Sequence, residues 1–449
     1  MLQTFRKAFQ IEDIRKKILY TLAMLFVVRL GSQLPTPGVD PNYIKDFFAN
    51  QTGETFNFFN AFTGGSFEQM SVFALSITPY ITSSIIMQLL TIAIPKLEEM
   101  QKEGEDGRKK IATITRYVTV GLALIESTAM AVGFGRRGLL EEYNFVNAAI
   151  VVLTLTAGSA FLMWIGERIT EKGVGNGISI VLLINILSRV PSDLTTLYET
   201  FVKGKGLAKG GLAALIILAI ILALVVFTVV LQDAERRIPV QYSQKVQGRS
   251  VGGQSTNIPL KVNTAGVIPV IFASSIMQFP IVIASFLGKG NGTGIGSEIL
   301  RGLNSGNWCN PSHLQYSWGL IVYIALTVFF AYFYTSITFN PLEIANNMKK
   351  SGGFIPGIRP GKPTVDYLTK ILNYIIFIGA CGLVIVQVIP FFFNGVFGAQ
   401  VSFGGTSLII IIGVVLETVK QIESQMLVRN YTGFLNNKGN AMKNSFLGF

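Results

Sequence analysis

The stretch FNFFNAFTGGSFEQMSVFALSITPYITSSIIMQLLTIAI, residues 56–94, holds more hydrophobic length than a bilayer needs. Gly64-Gly65 and Pro79 interrupt it, dividing it in two. The first piece, about Phe58 to Ser71, is too short to span and too polar to face lipid, while the second, about Val72 to Ile94, is long enough to cross. A helix broken at membrane depth is expected to line a cavity.

From Pro79 the second piece reads PYITSSIIMQ, and from Pro269 the chain reads PVIFASSIMQ; both fit P-x-I-x-x-S-x-I-M-Q. Two inverted halves facing each other would leave such a match. It predicts a pseudo-two-fold arrangement with Ile81 and Ile271 on opposite walls of one central space.

Working outward, the chain of 449 residues is 50% hydrophobic with only 14% charged residues, against about 25% in an ordinary soluble domain. With a mean hydropathy of +0.50, it reads as a polytopic membrane protein. Ten apolar stretches stand near 18–36, 72–94, 115–135, 145–166, 177–190, 212–232, 264–286, 317–339, 369–390 and 405–424. About three-quarters of the 37 Lys and Arg fall on one side if the N-terminus is cytoplasmic, which places both termini inside. The first basic-then-apolar run reads as an uncleaved span, because no small-residue cleavage site precedes Pro35.

The organisation that follows is an N-terminal half over 1–190, an external connector over 191–211 that is flexible by composition, and a C-terminal half over 212–449. Loops at 233–263 and 340–370 exceed the two to eight residues usual between bundle helices. They mix Arg and Lys with turn formers and a few apolar anchors, which suits an anionic partner surface in the cytoplasm. Ile77 with Ile81, and Ile178 with Leu182, sit four apart and give short aliphatic stripes.

Chemistry is sparse. The single histidine, His313, lacks companions for a metal site or a triad, and no G-x-x-x-x-G-K-[ST] loop occurs. Glu126 and Glu417 stand singly in apolar spans. The reading is no enzyme, no cofactor and no metal, with any energy source on another chain. Cys309 and Cys381 belong to different depths and are not expected to pair.

The runs FNAFTGG, ITPYITSSIIMQLL, KEGEDGRKKI, GVGNGISI, ERRIPVQY, GVIPVIFASS and GIRPG closely resemble the SecY family, the channel-forming subunits of bacterial protein translocases. The resemblance covers nearly the whole chain. It implies an all-α polytopic membrane protein, with ten transmembrane helices in two inverted five-helix halves around a central hourglass pore closed by a short plug helix. By motif position the pore ring is Ile77, Ile81, Ile178, Leu182, Ile271 and Ile410. The plug is about 58–71, with Phe58, Phe59, Asn60, Phe62, Gly64, Gly65 and Phe67. Ser84, Gln88, Ser274 and Gln278 are lateral-gate candidates, and Arg236, Arg237, Arg249 and Arg359 are cytosolic partner contacts. The resemblance further implies SecE and SecG subunits, the SecA ATPase, the ribosome, and secretory and membrane-protein precursors as partners, in the bacterial cytoplasmic membrane and with no small-molecule substrate. A secondary transporter built from inverted repeats is the alternative, and it would need a polar midplane site.

Overall fold

The computed structural model describes residues 6, 8–40, 63–135, 140, 142–203, 207–242, 255–286, 294–397 and 405–446. In chain order the elements are α1 (Glu12–Gly31), α2 (Thr78–Ala93), α3 (Pro95–Lys102), α4 (Glu105–Phe134), α5 (Phe145–Lys172), α6 (Gly177–Phe201) and α7 (Leu207–Asp233). Then come β1 (Glu235–Tyr242), β2 (Ser255–Lys261), α8 (Ile268–Phe286), α9 (Ile295–Leu303), α10 (Trp318–Thr338), α11 (Pro341–Lys350), β3 (Gly353–Phe354), α12 (Lys362–Phe397) and α13 (Gly405–Phe446).

Each of the ten apolar stretches coincides with one helix. Among the described residues, six helices are long and apolar enough to cross a membrane, or up to seven when α2 and α3, bent by 101° at their junction, form one span. Five of the six charges of α1 crowd Glu12 to Lys17 and the sixth, Arg29, stands in its last turn, leaving a short apolar stretch between them. At the fifth stretch the helix does not stop near 190. It continues through Pro191 to Phe201, and α7 already begins at Leu207, so most of the expected external connector is helical; Thr195 donates to the Pro191 carbonyl within that turn.

The chain divides into two compact units, one of Met1–Thr52, Phe56–Arg189 and Val414–Phe449, the other of Gly53–Thr55 and Val190–Gly413. The sequence assigns all of the last helix to the C-terminal half, whereas the division falls inside α13.

In the first unit, α2 packs against α4 and α4 against α5. The interrupted stretch enters this bundle as turns. Thr36 N–H donates to the Met70 carbonyl and Val72 N–H to the Leu34 carbonyl, both at 2.9 Å, which fastens the run to the chain leaving α1. Residues 72–77 then form consecutive turns whose side chains Phe73, Ala74, Leu75, Ser76 and Ile77 are all buried. A helix would satisfy this backbone internally; here Ser159 of α5 donates to the Ser76 carbonyl at 3.1 Å. Gly158 lets α5 approach so closely that a Cβ there would lie 2.0 Å from the Val72 carbonyl oxygen. The expected cavity-lining break is therefore, over these residues, irregular backbone buried in protein, the other setting in which it survives at membrane depth.

The second unit repeats the device. Residues 262–267 form turns directly before α8, and Gly379 of α12 lies so close that its Cβ would stand 2.4 Å from the Val262 carbonyl oxygen. Here α8 packs against α10 and α10 against α12. Pro79 and Pro269 each occupy the second position of the following helix, where the missing N–H costs nothing.

The two long loops of this unit are not separate connectors. β1 and β2 form an antiparallel hairpin, with Ile238 opposite Ile258, and β3 adds to the free edge of β1 at Gln241 and Tyr242. Ile238, Val240 and Leu260 on one face join Ala345, Met348, Ile355, Leu368 and Ile375 in a buried cluster. This small sheet is an addition to the all-helical architecture read from the sequence.

Candidate functional site

The ring candidates divide between the units: Ile77, Ile81, Ile178 and Leu182 in the first, Ile271 and Ile410 in the second. Ile77 is the residue before α2 and is fully buried, as are Leu182 and Ile410 nearly, while Ile81, Ile178 and Ile271 are half-buried. Ile81 N–H donates to the Ile77 carbonyl, so those two stack on adjacent turns at the start of α2. Ile178 rests over Gly166 of α5, where a Cβ would come within 2.4 Å of its Cδ1.

Of the plug candidates, Phe58, Phe59, Asn60 and Phe62 lie outside the described residues. Gly64, Gly65 and Phe67 belong to a run of turns from 64 to 70, not to a short helix. Gly64 and Gly65 have φ of 65° and 86°, a left-handed pair that ends helical propagation. The run is held against the middle of α6. Ser188 donates to the Gly64 carbonyl at 3.4 Å, and Arg189 pairs with Glu68 at 3.4 Å. Side chains of any size at 64 are excluded by Asn185, whose carbonyl oxygen lies 2.8 Å from the Cβ position.

The gate candidates part company. Gln88 is exposed and Ser84 and Gln278 are half-buried, but Ser274 is buried, hydrogen-bonded to Tyr323 of α10 at 3.2 Å. Ser274 is an internal strut of its unit. In the first unit that place is taken by Ser83, which is fully buried and hydrogen-bonded to Thr119 of α4. Ser83 stands next to Ser84 in the repeat itself; Tyr323 carries no motif, and nothing in its local sequence marks it.

Arg236 and Arg237 are exposed on β1, and Arg237 is paired with its neighbour Glu235 at 2.6 Å. Arg249 lies outside the described residues. Arg359 is exposed on the tight loop between β3 and α12, where Gly357 and Gly361 take φ of 83° and 108°. Thr364 donates to the Arg359 carbonyl at 2.9 Å, and Ile355 anchors the loop in the buried cluster beneath the sheet. Both basic segments are thus anchored to one buried cluster, and the exposed Arg236 and Arg359 can present their guanidinium groups to planar anions bidentately.

Comparison with known proteins agrees with this architecture. The SecY family model matches residues 71–419. The chain is similar to the protein translocase subunit SecY of Corynebacterium glutamicum, 44% identical over 96% of this chain and 99% of the relative. It is likewise similar to that of Streptomyces scabiei, 45% identical over 97% and 100%. Among solved structures, one of a protein conducting channel superposes with a TM-score of 0.60 at 17% identity, covering 92% of each chain. Sec61 in the canine ribosome-channel complex gives 0.61 at 17% identity, again over 92% of each. These relatives lend no support to a secondary transporter. By sequence over nearly its full length, and by fold in agreement, the chain belongs to the SecY family, whose members are translocation channel subunits and not enzymes.

Proposed function

We propose that this polytopic membrane protein is the channel-forming subunit of a bacterial translocase, passing unfolded secretory chains across the cytoplasmic membrane and releasing membrane segments sideways into lipid. The observation that carries the reading is the duplicated turn-and-helix device, which sets Ile81 and Ile271 at the same place in two copies. Cargo sequences vary, so a conduit for them cannot select by hydrogen bonds. It needs a waist that fits any chain and wets poorly when empty. Ile77, Ile81, Ile178, Leu182, Ile271 and Ile410 supply branched aliphatic groups for that collar, and the segment near 58–71 supplies the plug. Lateral release follows because apolar cargo surface favours hydrocarbon by about 25 cal/mol per Å2, with Ser84, Gln88 and Gln278 as polar gate residues.

Partners enter through the same reading. SecE and SecG would complete the membrane complex, and SecA or the ribosome would dock on the basic segments bearing Arg236, Arg237 and Arg359, with both termini cytoplasmic. The likeness in fold to Sec61 in a ribosome-channel complex supports a ribosome among the partners. A stalled secretory precursor should crosslink to a cysteine placed at Ile271; absence of the crosslink together with saturable uptake of a small solute would sink the channel reading. Arg359→Glu should impair SecA- or ribosome-dependent translocation without lowering the amount of subunit in the membrane. Unaltered translocation removes Arg359 from the docking surface.

A further inference from the structure

Tyr323 is 2% exposed, tilted against Trp308 with ring centroids 5.4 Å apart and edge-on to Phe391 of α12 at 5.7 Å. Its hydroxyl is bonded to Ser274 on α8 at 3.2 Å and to Thr406 on α13. Ser274 follows Ile271 by three residues, and Thr406 precedes Ile410 by four. Those spacings put each polar residue on the helix face of the isoleucine it accompanies. Val270 and Ile409, the residues just before the two isoleucines, belong to one buried cluster. One phenolic oxygen therefore bridges the two helices that bear both of this unit's collar candidates.

The protons can be assigned. Ser274 Oγ donates to the Val270 carbonyl at 2.9 Å, so its only proton is used within α8 and the bond to Tyr323 takes the phenol proton. Thr406 then donates to the Tyr323 oxygen. Both bonds depend on that oxygen, while the ring packing does not.

We infer that Tyr323 is a positioning residue for the collar: its hydroxyl fixes the spacing of α8 and α13, and through it the relation of Ile271 to Ile410. This rests on the channel reading above. Tyr323→Phe keeps the ring and removes both bonds, so in the assembled translocase in vesicles the resting ion leak should rise roughly three- to tenfold, and precursors with defective signal segments should be exported more readily. Ser274→Ala and Thr406→Val, each removing one bond, should give intermediate leaks. Thr327→Val serves as the control: one turn further along α10, its hydroxyl bonds the Tyr323 backbone carbonyl at 2.9 Å and Gln387 of α12 at 3.5 Å, neither of which involves the phenol oxygen, α8 or α13, so it should leave the leak unchanged. An unchanged leak in Tyr323→Phe, or an equal leak in Thr327→Val, overturns the inference while leaving a cargo crosslink at position 271 intact. Loss of that crosslink in the otherwise unaltered chain overturns the collar, and the role of Tyr323 with it.

Discussion

The turns before α2 and the turns before α8 are two copies of one construction, and they solve the same problem with different side chains. In each, a valine carbonyl is met by a glycine from a later helix, Val72 by Gly158 and Val262 by Gly379. In each, the residue three before the proline is left-handed, Ser76 at φ 52° and Gly266 at φ 66°. The copies differ in how the helix is then tied. Thr119 is short and reaches Ser83, whereas Tyr323 is long enough to reach Ser274, one position further along the repeat. So the serine shared by both copies is buried in the second and half-buried in the first. Equal sequence gives equal backbone; the neighbour's length decides which hydroxyl is consumed.

The largest test of this correspondence lies at the two glycines. A Cβ at Gly158 would stand 2.0 Å from the Val72 oxygen and one at Gly379 2.4 Å from the Val262 oxygen, far inside van der Waals contact and against backbone, which cannot swing aside as a side chain does. Gly158→Ala and Gly379→Ala should each destabilise the purified protein by about 3 kcal/mol or more, read as a lower unfolding midpoint in detergent, with Gly158→Ala the worse. A harmless alanine at either position would mean that the two approaches are not equivalent.

Much of this was legible beforehand, for identifiable reasons. The ten apolar stretches mark ten helices because burial in lipid or protein leaves a long unbroken signal, and PxIxxSxIMQ marks the two copies because its proline opens the helix at the second position in both. What stayed hidden depends on distant partners. Nothing near residue 64 says that the run to 77 is built of turns, since its backbone is tied to the chain leaving α1, to α5 and to α6. The hairpin of β1 and β2 is likewise built by a cluster assembled from Met348, Ile355 and Leu368, more than eighty residues away in sequence. The basic loops looked long because they contain a small folded layer, which carries Arg236 and Arg237 on β1 and tethers the loop of Arg359 through Ile355. Ser274 looked like a gate residue because Tyr323, which buries it, carries no pattern.

The smallest effects, and the sharpest comparison, come from the left-handed position. Ser76 Oγ accepts from Asn185 Nδ2 at 3.0 Å in the first copy, while a Cβ at Gly266 would meet nothing within 4 Å. Ser76→Ala keeps the strained φ and removes the acceptor from a buried amide, so it should cost about 1–3 kcal/mol. Gly266→Ala meets no atom and pays only for the left-handed backbone, about 1 kcal/mol. Ser76→Gly loses the hydrogen bond but relieves the backbone by a similar amount, so it should fall near zero. The order Ser76→Ala, Gly266→Ala, Ser76→Gly in unfolding midpoints is therefore set by two separable terms. If Ser76→Gly proves as damaging as Ser76→Ala, backbone conformation contributes nothing at this position, and the likeness of the two copies there is one of shape without shared energetics.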